Sequence, residues 1–560
     1  MAQILESDIP YVPAQTASGN LYDWITCNLS GCKDSDVAQY RLDGKGVTRK
    51  TIVEIADKVS YFLRNTLDIK EGERVAIISP NSTLYTAVTL GILRAGLVAV
   101  PLNPIYSADE LVHPLKDSEI SAAFVFPAIV PTVRAGIEKA QRSLTRPNGQ
   151  PAIWLMDDAD SVADLKTGER DFLKALTDKT FPTVRVRNSQ EDVAFIVYSS
   201  GTSGKPKGVQ LTHDNLKVGT ETLRLGSQGD VGDLQVAIAV LPMFHIFGLN
   251  LTVLGSFLTG MVVVVVPRFD IEVFCAAIQK YKVTLALVVP PMLLGLARHP
   301  VVSNYDLSSL RIALCGAAPL SSELGDEVER RLPNLHVTQG YGLSETSPVV
   351  TYSLHQDYRQ HKGSCGAVVP GCRVRLVDDD GKDVAHEQGE NGKPGELWVQ
   401  GGIVMKGYLN NKAANDECLT PDHWFKTGDI AIYKNKHLYI VDRKKELIKY
   451  KGFQVPPAEL EALILTHPDI ADVAVVGVND KEQATELPRA YVAPRPNVLN
   501  AKTASEEEKQ AFAKKVVDWV GERVANHKKL RGGVVVIEEV PKSASGKILR
   551  RFLRDRANPK

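Results

Sequence analysis

The chain is 560 residues long and carries 66 basic against 66 acidic side chains, so its formal net charge is zero. Apolar residues make up 44% and charged residues 24%. That globular balance excludes a disordered polyelectrolyte, and the missing positive field argues against whole-surface nucleic-acid binding.

Length predicts several domains of about 150 residues each. The N-terminus, MAQILESDIPYVP, has Glu6, Asp8 and Pro10 where a secretory signal requires basic and then apolar residues, so no signal peptide is expected. Seven scattered cysteines, Cys27, Cys32, Cys275, Cys315, Cys365, Cys372 and Cys418, form no CxxC pair and no Cys/His metal cluster. That usage predicts a reduced, cytoplasmic setting; a peroxisomal one is the alternative, although the C-terminal Ala-Asn-Pro-Lys is not of the Ser-Lys-Leu type.

Short apolar runs then alternate with helical stretches. Predicted strands are Arg74–Ser79, Leu97–Leu102, Ala122–Phe126, Ala152–Met156, Val193–Tyr198, Val236–Leu241, Met261–Val266, Leu285–Val289, Ile312–Leu314 and His336–Thr338, with helices such as Thr51–Thr66 and Ser82–Ala95 between them. The alternation predicts an α/β fold of βαβ units with mostly parallel sheets. Phe247–Pro267 approaches the about 20 residues that cross a bilayer. Asn250, Thr252, Ser256 and the break at Thr259-Gly260 instead divide it into a buried helix and a valine run suited to a strand covered on both faces. No stable membrane span is expected.

From about Gly363 to Tyr433, dense Gly, Asp and Pro and short strands (Val374–Val377, Gly395–Gln400) predict a β-barrel-like subdomain. A small α+β unit follows from 442, with strands Val473–Val478, Ala490–Pro494 and Val534–Glu538 and a helix over Ser505–Ala525. The expected division is therefore 1–441 and 442–560. The last twenty residues hold seven basic side chains against Asp555 alone, a local charge of +6 inside a neutral total.

The most informative motif is Tyr198-Ser-Ser-Gly-Thr-Ser-Gly-Lys-Pro-Lys-Gly208. Small hydroxyl and glycine residues after a strand let backbone N–H groups approach an anion, and two lysines add charge. It is not a Walker A loop, because Pro206 follows Gly204-Lys205 and Ser199 stands where the first glycine belongs. A flexible Gly/Ser linker seldom follows a buried strand or ends in Lys-Pro-Lys-Gly, which favours a phosphate loop.

This segment resembles the signature loop of the adenylate-forming superfamily, which includes acyl-CoA synthetases, 4-coumarate–CoA ligases, luciferases and peptide-synthetase adenylation domains. Further blocks match in order: Leu241-Pro-Met-Phe-His-Ile-Phe-Gly248, Gly316-Ala-Ala-Pro-Leu320, Gln339-Gly-Tyr-Gly-Leu-Ser-Glu-Thr346, Thr427-Gly-Asp429, Tyr439 through Gln454, and Pro541-Lys-Ser-Ala-Ser-Gly-Lys-Ile-Leu-Arg550. The resemblance implies a carboxylate–CoA ligase that uses ATP, Mg²⁺ and CoA. It implies a large body of two βαβ-type subdomains and a β-barrel-like subdomain, with a small mobile α+β C-terminal domain. A carboxylate and the α-phosphate of ATP would give acyl-AMP and pyrophosphate, and CoA would then displace AMP.

By the same resemblance, Ser199, Ser200, Gly201, Thr202, Ser203, Gly204 and Lys207 surround the phosphates, and Glu345 is the Mg²⁺ carboxylate, a hard donor for a hard cation. Thr346 donates to the α-phosphate. Gly316, Ala317, Ala318, Gln339, Gly340, Tyr341 and Gly342 receive the adenine, with Tyr341 stacking on it. Asp429 takes the ribose hydroxyls, with Arg443 beside it. Lys547 is the catalytic lysine, bridging the substrate carboxylate and the α-phosphate; read from the residues alone it is one lysine of a basic tail. Asp442 is the hinge. Lys449 and Gln454 face the site in the thioester-forming orientation, where Lys451 and Gly452 meet CoA. His245 is implied to be a gate near the acyl and CoA channel, while its apolar setting leaves a satisfied core histidine open.

Ile246, Phe247, Asn250, Leu287, Leu314 and Cys315 fall at positions that line the acyl pocket in coumarate–CoA ligases. Peptide-synthetase domains carry an aspartate near 241–250 for the substrate amine; here Phe244, His245, Ile246 and Phe247 fill that stretch. Leu314 stands where coumarate ligases tend to carry a lysine. The expected substrate is an aryl or medium-chain fatty acid. Rivals are an enzyme that loads a carrier protein or, luciferase-like, uses another acceptor, and a catalytically silent nucleotide-binding relative. Oligomeric state is open.

Overall fold

The computed structural model describes residues 4–11, 18–27, 31–143, 145–158, 165, 168–199, 206–226, 236–384, 392–451, 453–480, 483, 485–543 and 546–558. Two large sheets organise the first 350 residues. One has nine strands, in the order Ala367–Val368, Val349–Tyr352, His336–Gly342, Ile312–Cys315, Leu285–Val288, Val236–Ala239, Val262–Val265, Val37–Tyr40 and Gly46–Thr48. Its middle pairs are parallel and its margins antiparallel. The other has eight strands, with Arg74–Ile78, Val98–Pro101, Ala122–Val125, Ile153–Leu155 and Val193–Ser199 running parallel as the alternating pattern requires. Central strands such as Val98–Pro101 and Ala122–Val125 are buried at every residue, which is why they read as unbroken apolar runs.

Helix Thr83–Arg94 is buried from Thr83 to Leu93. Its start is fixed twice, by the Ser82 cap and by Asp158, whose carboxylate accepts from the Thr83 N–H at 2.9 Å and the Thr83 hydroxyl at 2.8 Å. Asn81, immediately before it, stitches the turn to the nine-stranded sheet. Its amide donates to the carbonyls of Ala239, Leu241 and Val266 and accepts from the Met243 N–H at 2.8 Å. Phe247–Pro267 is the expected buried helical stretch, from Ile246 to Thr259, followed by strand Val262–Val265. Among the described residues no helix is long and apolar enough to cross a membrane.

Two expectations change in extent. The expected strand Val193–Tyr198 runs on to Ser199, and the motif around residue 200 joins it to a second strand: Val193–Ser199 and Lys207–Thr212 form an antiparallel hairpin in which Ser199 faces Lys207. The short run KGVQLT is hidden in the sequence because it opens inside the glycine-lysine motif. The β-rich region also does not stop at Tyr433. Its five-stranded antiparallel sheet takes Leu5–Glu6, Cys372–Val377, Gly395–Gly401, Phe425–Lys434 and His437–Arg443, because the alternation of HLYIVDR continues the pairing to Arg443.

The apolar core of this body gathers residues from Leu21 to Leu438. A separate core begins at Ile448, formed by helices Pro457–Leu465 and Glu506–Gly521 against the three-stranded sheet of Ile470–Asp480, Thr485–Pro494 and Val534–Val536.

Candidate active site

The parallel strands of the nine-stranded sheet end together at Val288, Cys315 and Gln339. Crevices at such carboxyl ends are where open α/β sheets bind ligands. Close packing there excludes side chains from three glycines. A Cβ on Gly316 would lie 3.0 Å from the Phe247 ring, one on Gly340 3.2 Å from the Thr351 carbonyl, and one on Gly342 1.7 Å from the Pro348 carbonyl. Ala317 follows with φ of 66°, a left-handed turn that leads the chain through Ala318 away from the strand end. Gln339 is 6% exposed, and its Oε1 is shielded from solvent without a hydrogen-bond donor.

Tyr341 reaches from this edge to the five-stranded sheet, where its hydroxyl donates to Asp429 Oδ2 at 2.6 Å. Asp429 sits opposite Arg443, with Nε to Oδ1 at 3.3 Å. The register slips between Ile430 and Ala431, so that Ile430 faces Asp442 and Ala431 faces Ile440, leaving Val441 as a bulge. Such bulges re-aim side chains at functional edges. The Thr427 hydroxyl accepts from the Asp429 N–H at 3.0 Å and donates to Leu397 O at 2.7 Å, fixing the turn before the carboxylate. Burial raises the Asp429 pKa, with Arg443 opposing it.

Glu345, 8% exposed, receives two hydroxyls on Oε1, from Ser199 at 3.3 Å and from Tyr408 at 2.9 Å. Lys207 lies 4.6 Å from the Tyr408 ring centroid. Thr346 is committed elsewhere. Its hydroxyl donates to Pro348 O at 2.7 Å and accepts from the Leu343 N–H at 3.0 Å, so it braces the turn instead of presenting a free donor.

Lys547 enters from the C-terminal unit on a tight loop. Ser543 N–H donates to Lys547 O at 2.8 Å, Leu549 N–H donates to Pro541 O at 2.8 Å, and Lys542 bridges Ile548. Gly546 adopts φ of 78° with its Cα against Val289, 3.0 Å from a notional Cβ to Val289 Cγ2, so the loop packs on the body beside the strand ends. The ammonium is buried within electrostatic reach of Arg443, Asp429, Glu446 and Glu345, and its pKa is lowered to about 8, by burial first and Arg443 second. His245 lies on the same side. Its Nδ1 accepts from the Phe247 N–H at 3.3 Å, so Nε2 carries the hydrogen. Burial, then Lys547, lowers its pKa to about 4, and the ring is neutral at neutral pH.

Ile246, Leu287 and Cys315 are at most 1% exposed, and Leu314 is 6%. They are part of the core beneath the strand ends, with the half-buried Phe247 ring over Gly316. Asn250 is fully buried and donates to Ser347 O at 2.8 Å, a tie within the wall. Asp442 accepts from the N–H groups of Arg443 at 2.7 Å and Ala458 at 3.0 Å, and burial, with Arg550 opposing, raises its pKa to about 6. Lys449 and Gln454 pair across the hairpin Ile448–Tyr450 and Phe453–Val455, exposed like Lys451 and apart from the Lys547 cluster. Ser200, Gly201, Thr202, Ser203, Gly204 and Gly452 lie outside the described residues. Glu329, His336 and His355 also come together, but those imidazoles stack face to face at 3.5 Å and the carboxylate takes the Val337 N–H at 2.9 Å, a packing arrangement.

One sheet edge, a pair of acidic groups and one buried lysine thus lie at the strand ends. The AMP-binding enzyme family matches residues 32–409, and the AMP-binding enzyme C-terminal domain family matches residues 459–547. The chain belongs to the AMP-binding enzyme family. It is 38% identical over 499 residues to 4-coumarate:CoA ligase 1 of Petunia hybrida, covering 88% of this chain and 86% of that one. It is 36% identical over 566 residues to 4-coumarate–CoA ligase 1 of Petroselinum crispum, covering 99% and 96%. The fold is that of an anthranilate CoA ligase solved with anthranoyl-AMP, at a TM-score of 0.82 and 23% identity over 96% of this chain and 97% of the other.

Proposed function

We propose that the protein is an ATP-dependent acid–CoA ligase acting on an aryl or medium-chain fatty acid. What supports this reading is the packing of the Gly546–Lys547 loop of a separate unit against Val289 at the strand ends, with Lys547 buried within electrostatic reach of Asp429, Arg443 and Glu345. A carboxylate oxygen attacks the α-phosphorus of ATP and the bond to pyrophosphate breaks, giving acyl-AMP. The CoA sulfur then attacks the acyl carbon and AMP leaves. Both reactants of the first step are anions, and the Lys547 ammonium between them offsets the charge that builds in the transition state. Asp429 binds the ribose hydroxyls in place of its bond to Tyr341, whose ring lies against the adenine. The donorless Gln339 Oε1 suits the adenine amine, and Ser199 and Lys207 meet the phosphates with residues 200–204.

Glu345 fits a Mg²⁺ ligand: two hydroxyls hold Oε1, and Oε2 has no hydrogen-bond partner among the described residues. When bound, that cation would neutralise phosphate charge. The apolar floor at Leu314, with Phe247, favours a ring or alkyl chain without a charged tail. His245, neutral with Nε2–H outward from its cap, gates the channel.

The small unit from 442 is proposed to turn about Asp442 between half-reactions, carrying Lys449, Gln454, Lys451 and Gly452 to the site for thioester formation. The change of core between Leu438 and Ile448 supports that division. The scattered cysteines, four of the seven buried, support a reduced cytoplasmic setting. The test is a panel of aryl, fatty and dicarboxylic acids scored for acid-dependent AMP and pyrophosphate, then for acyl-CoA. Aryl or medium-chain acids should give both product sets; a panel in which none of the acids is turned over would overturn the assignment.

A further inference from the structure

Arg550 begins the last helix, Arg550–Ala557, three residues after Lys547, and its side chain is only 12% exposed. Its Nη1 donates to Glu446 at 2.6 Å, while Nε and Nη2 fork onto both oxygens of Glu461 at 3.1 and 2.5 Å. The two carboxylates are each 9% exposed. A desolvated, two-oxygen fork of this kind fixes direction as well as distance. The carboxylates lie on different segments of the unit that begins at 442. Glu461 lies on helix Pro457–Leu465 and also accepts from the Val475 N–H at 2.7 Å, so it is anchored in the C-terminal core. Glu446 lies in the turn that leaves the last strand of the body, where Glu446 and Leu447 donate their N–H groups to Arg443 O at 2.8 and 3.0 Å.

That turn is four residues past Asp442 and is bonded to Arg443, the partner of Asp429. A continuous path therefore runs from the Lys547 loop, through the Arg550 guanidinium and Glu446, to the ribose-facing pair. The Leu553 side chain, 4% exposed, anchors the same helix in its own apolar cluster, so the helix does not depend on the guanidinium for docking.

We propose that Arg550 is a positioning residue for acyl-adenylate formation: by pairing with Glu446 and Glu461 it sets the Lys547 loop against the turn that holds Arg443 and Asp429. The role rests on the acid–CoA ligase reading and belongs to the first half-reaction only, since Lys547 serves only that step. Arg550→Ala leaves two buried carboxylates without their cation, and losing one partner of such a pair is strongly destabilising. Milder changes are therefore the test.

Arg550→Lys keeps the charge and loses the fork. Glu446→Gln keeps the Glu461 fork and removes one charge beside Lys547. Acid-dependent ATP–pyrophosphate exchange should fall by about 10-fold or more in kcat in both variants, with KM for ATP and acid little changed. Thioester formation from supplied acyl-AMP should stay close to that of the unmodified protein. Glu446 also helps to hold the proton on Lys547. Glu446→Gln should therefore move the alkaline limb of exchange to lower pH, and Arg550→Lys should not, a difference that simple loosening of the fold would not produce. Normal exchange in both variants, or equal loss of both half-reactions, overturns the positioning role while leaving the ligase reading intact. Absence of exchange by the unmodified protein with every acid overturns both.

Discussion

At the scale of single residues, the site is an exercise in holding charge where it is costly. Lys547 loses hydration on entering the cleft and sits near Arg443, and both effects favour the neutral amine. In the proposed role the ammonium is the working form, so raising the pH through about 8 removes it, and acid-dependent exchange should then fall about tenfold by one further pH unit. Arginine cannot lose its proton in this range, so Lys547→Arg, although slower, should lack that alkaline limb. A limb that survives unchanged in Lys547→Arg would assign it to another group. Residues in compact motifs are legible in the sequence: Tyr341 and Glu345 share one run of eight, and Thr427 and Asp429 a run of three. Tyr408 is not, because it meets Glu345 across 63 positions through a two-residue strand, and Thr346 keeps its motif place while spending its hydroxyl on the turn.

Elements explain why those residues converge. The parallel strands are readable because burial on both faces leaves unbroken apolar runs, as in Val262–Val265. The hairpin at Ser199–Lys207 and the bulge at Val441 are not, since pairing register depends on a partner strand that local pattern does not specify. Between elements one dense polar tie in the body is Asn81, which serves three carbonyls and one N–H. Asn81→Ala removes the cited partner of the Leu241 and Val266 carbonyls and of the Met243 N–H, while Ala239 O keeps the Val266 N–H, and should destabilise the body by about 2–4 kcal/mol. The readout is a lower midpoint in thermal or denaturant unfolding, with the C-terminal unit unaffected in limited proteolysis. An unshifted midpoint would show that water or neighbouring groups replace the amide.

For the whole molecule, zero net charge conceals a net-acidic remainder and a basic C-terminal tail that carries Lys547. Composition points to several domains but not to their use; the ordered motifs supply the reaction, and the packing of the Gly546–Lys547 loop on Val289 shows where the two parts meet. What a single sequence does not carry is the relative placement of two units whose contact is a few residues wide. If Lys547 serves only the first half-reaction, the two steps must separate on one substitution. The decisive measurement is Lys547→Ala assayed twice with the same acid: acid-dependent ATP–pyrophosphate exchange, and acyl-CoA formation from supplied acyl-AMP and CoA. Exchange should drop by about 10²–10³-fold, the loss typical of one electrostatic donor, with thioester formation close to that of the unmodified protein; equal loss of both steps, or of neither, would contradict it.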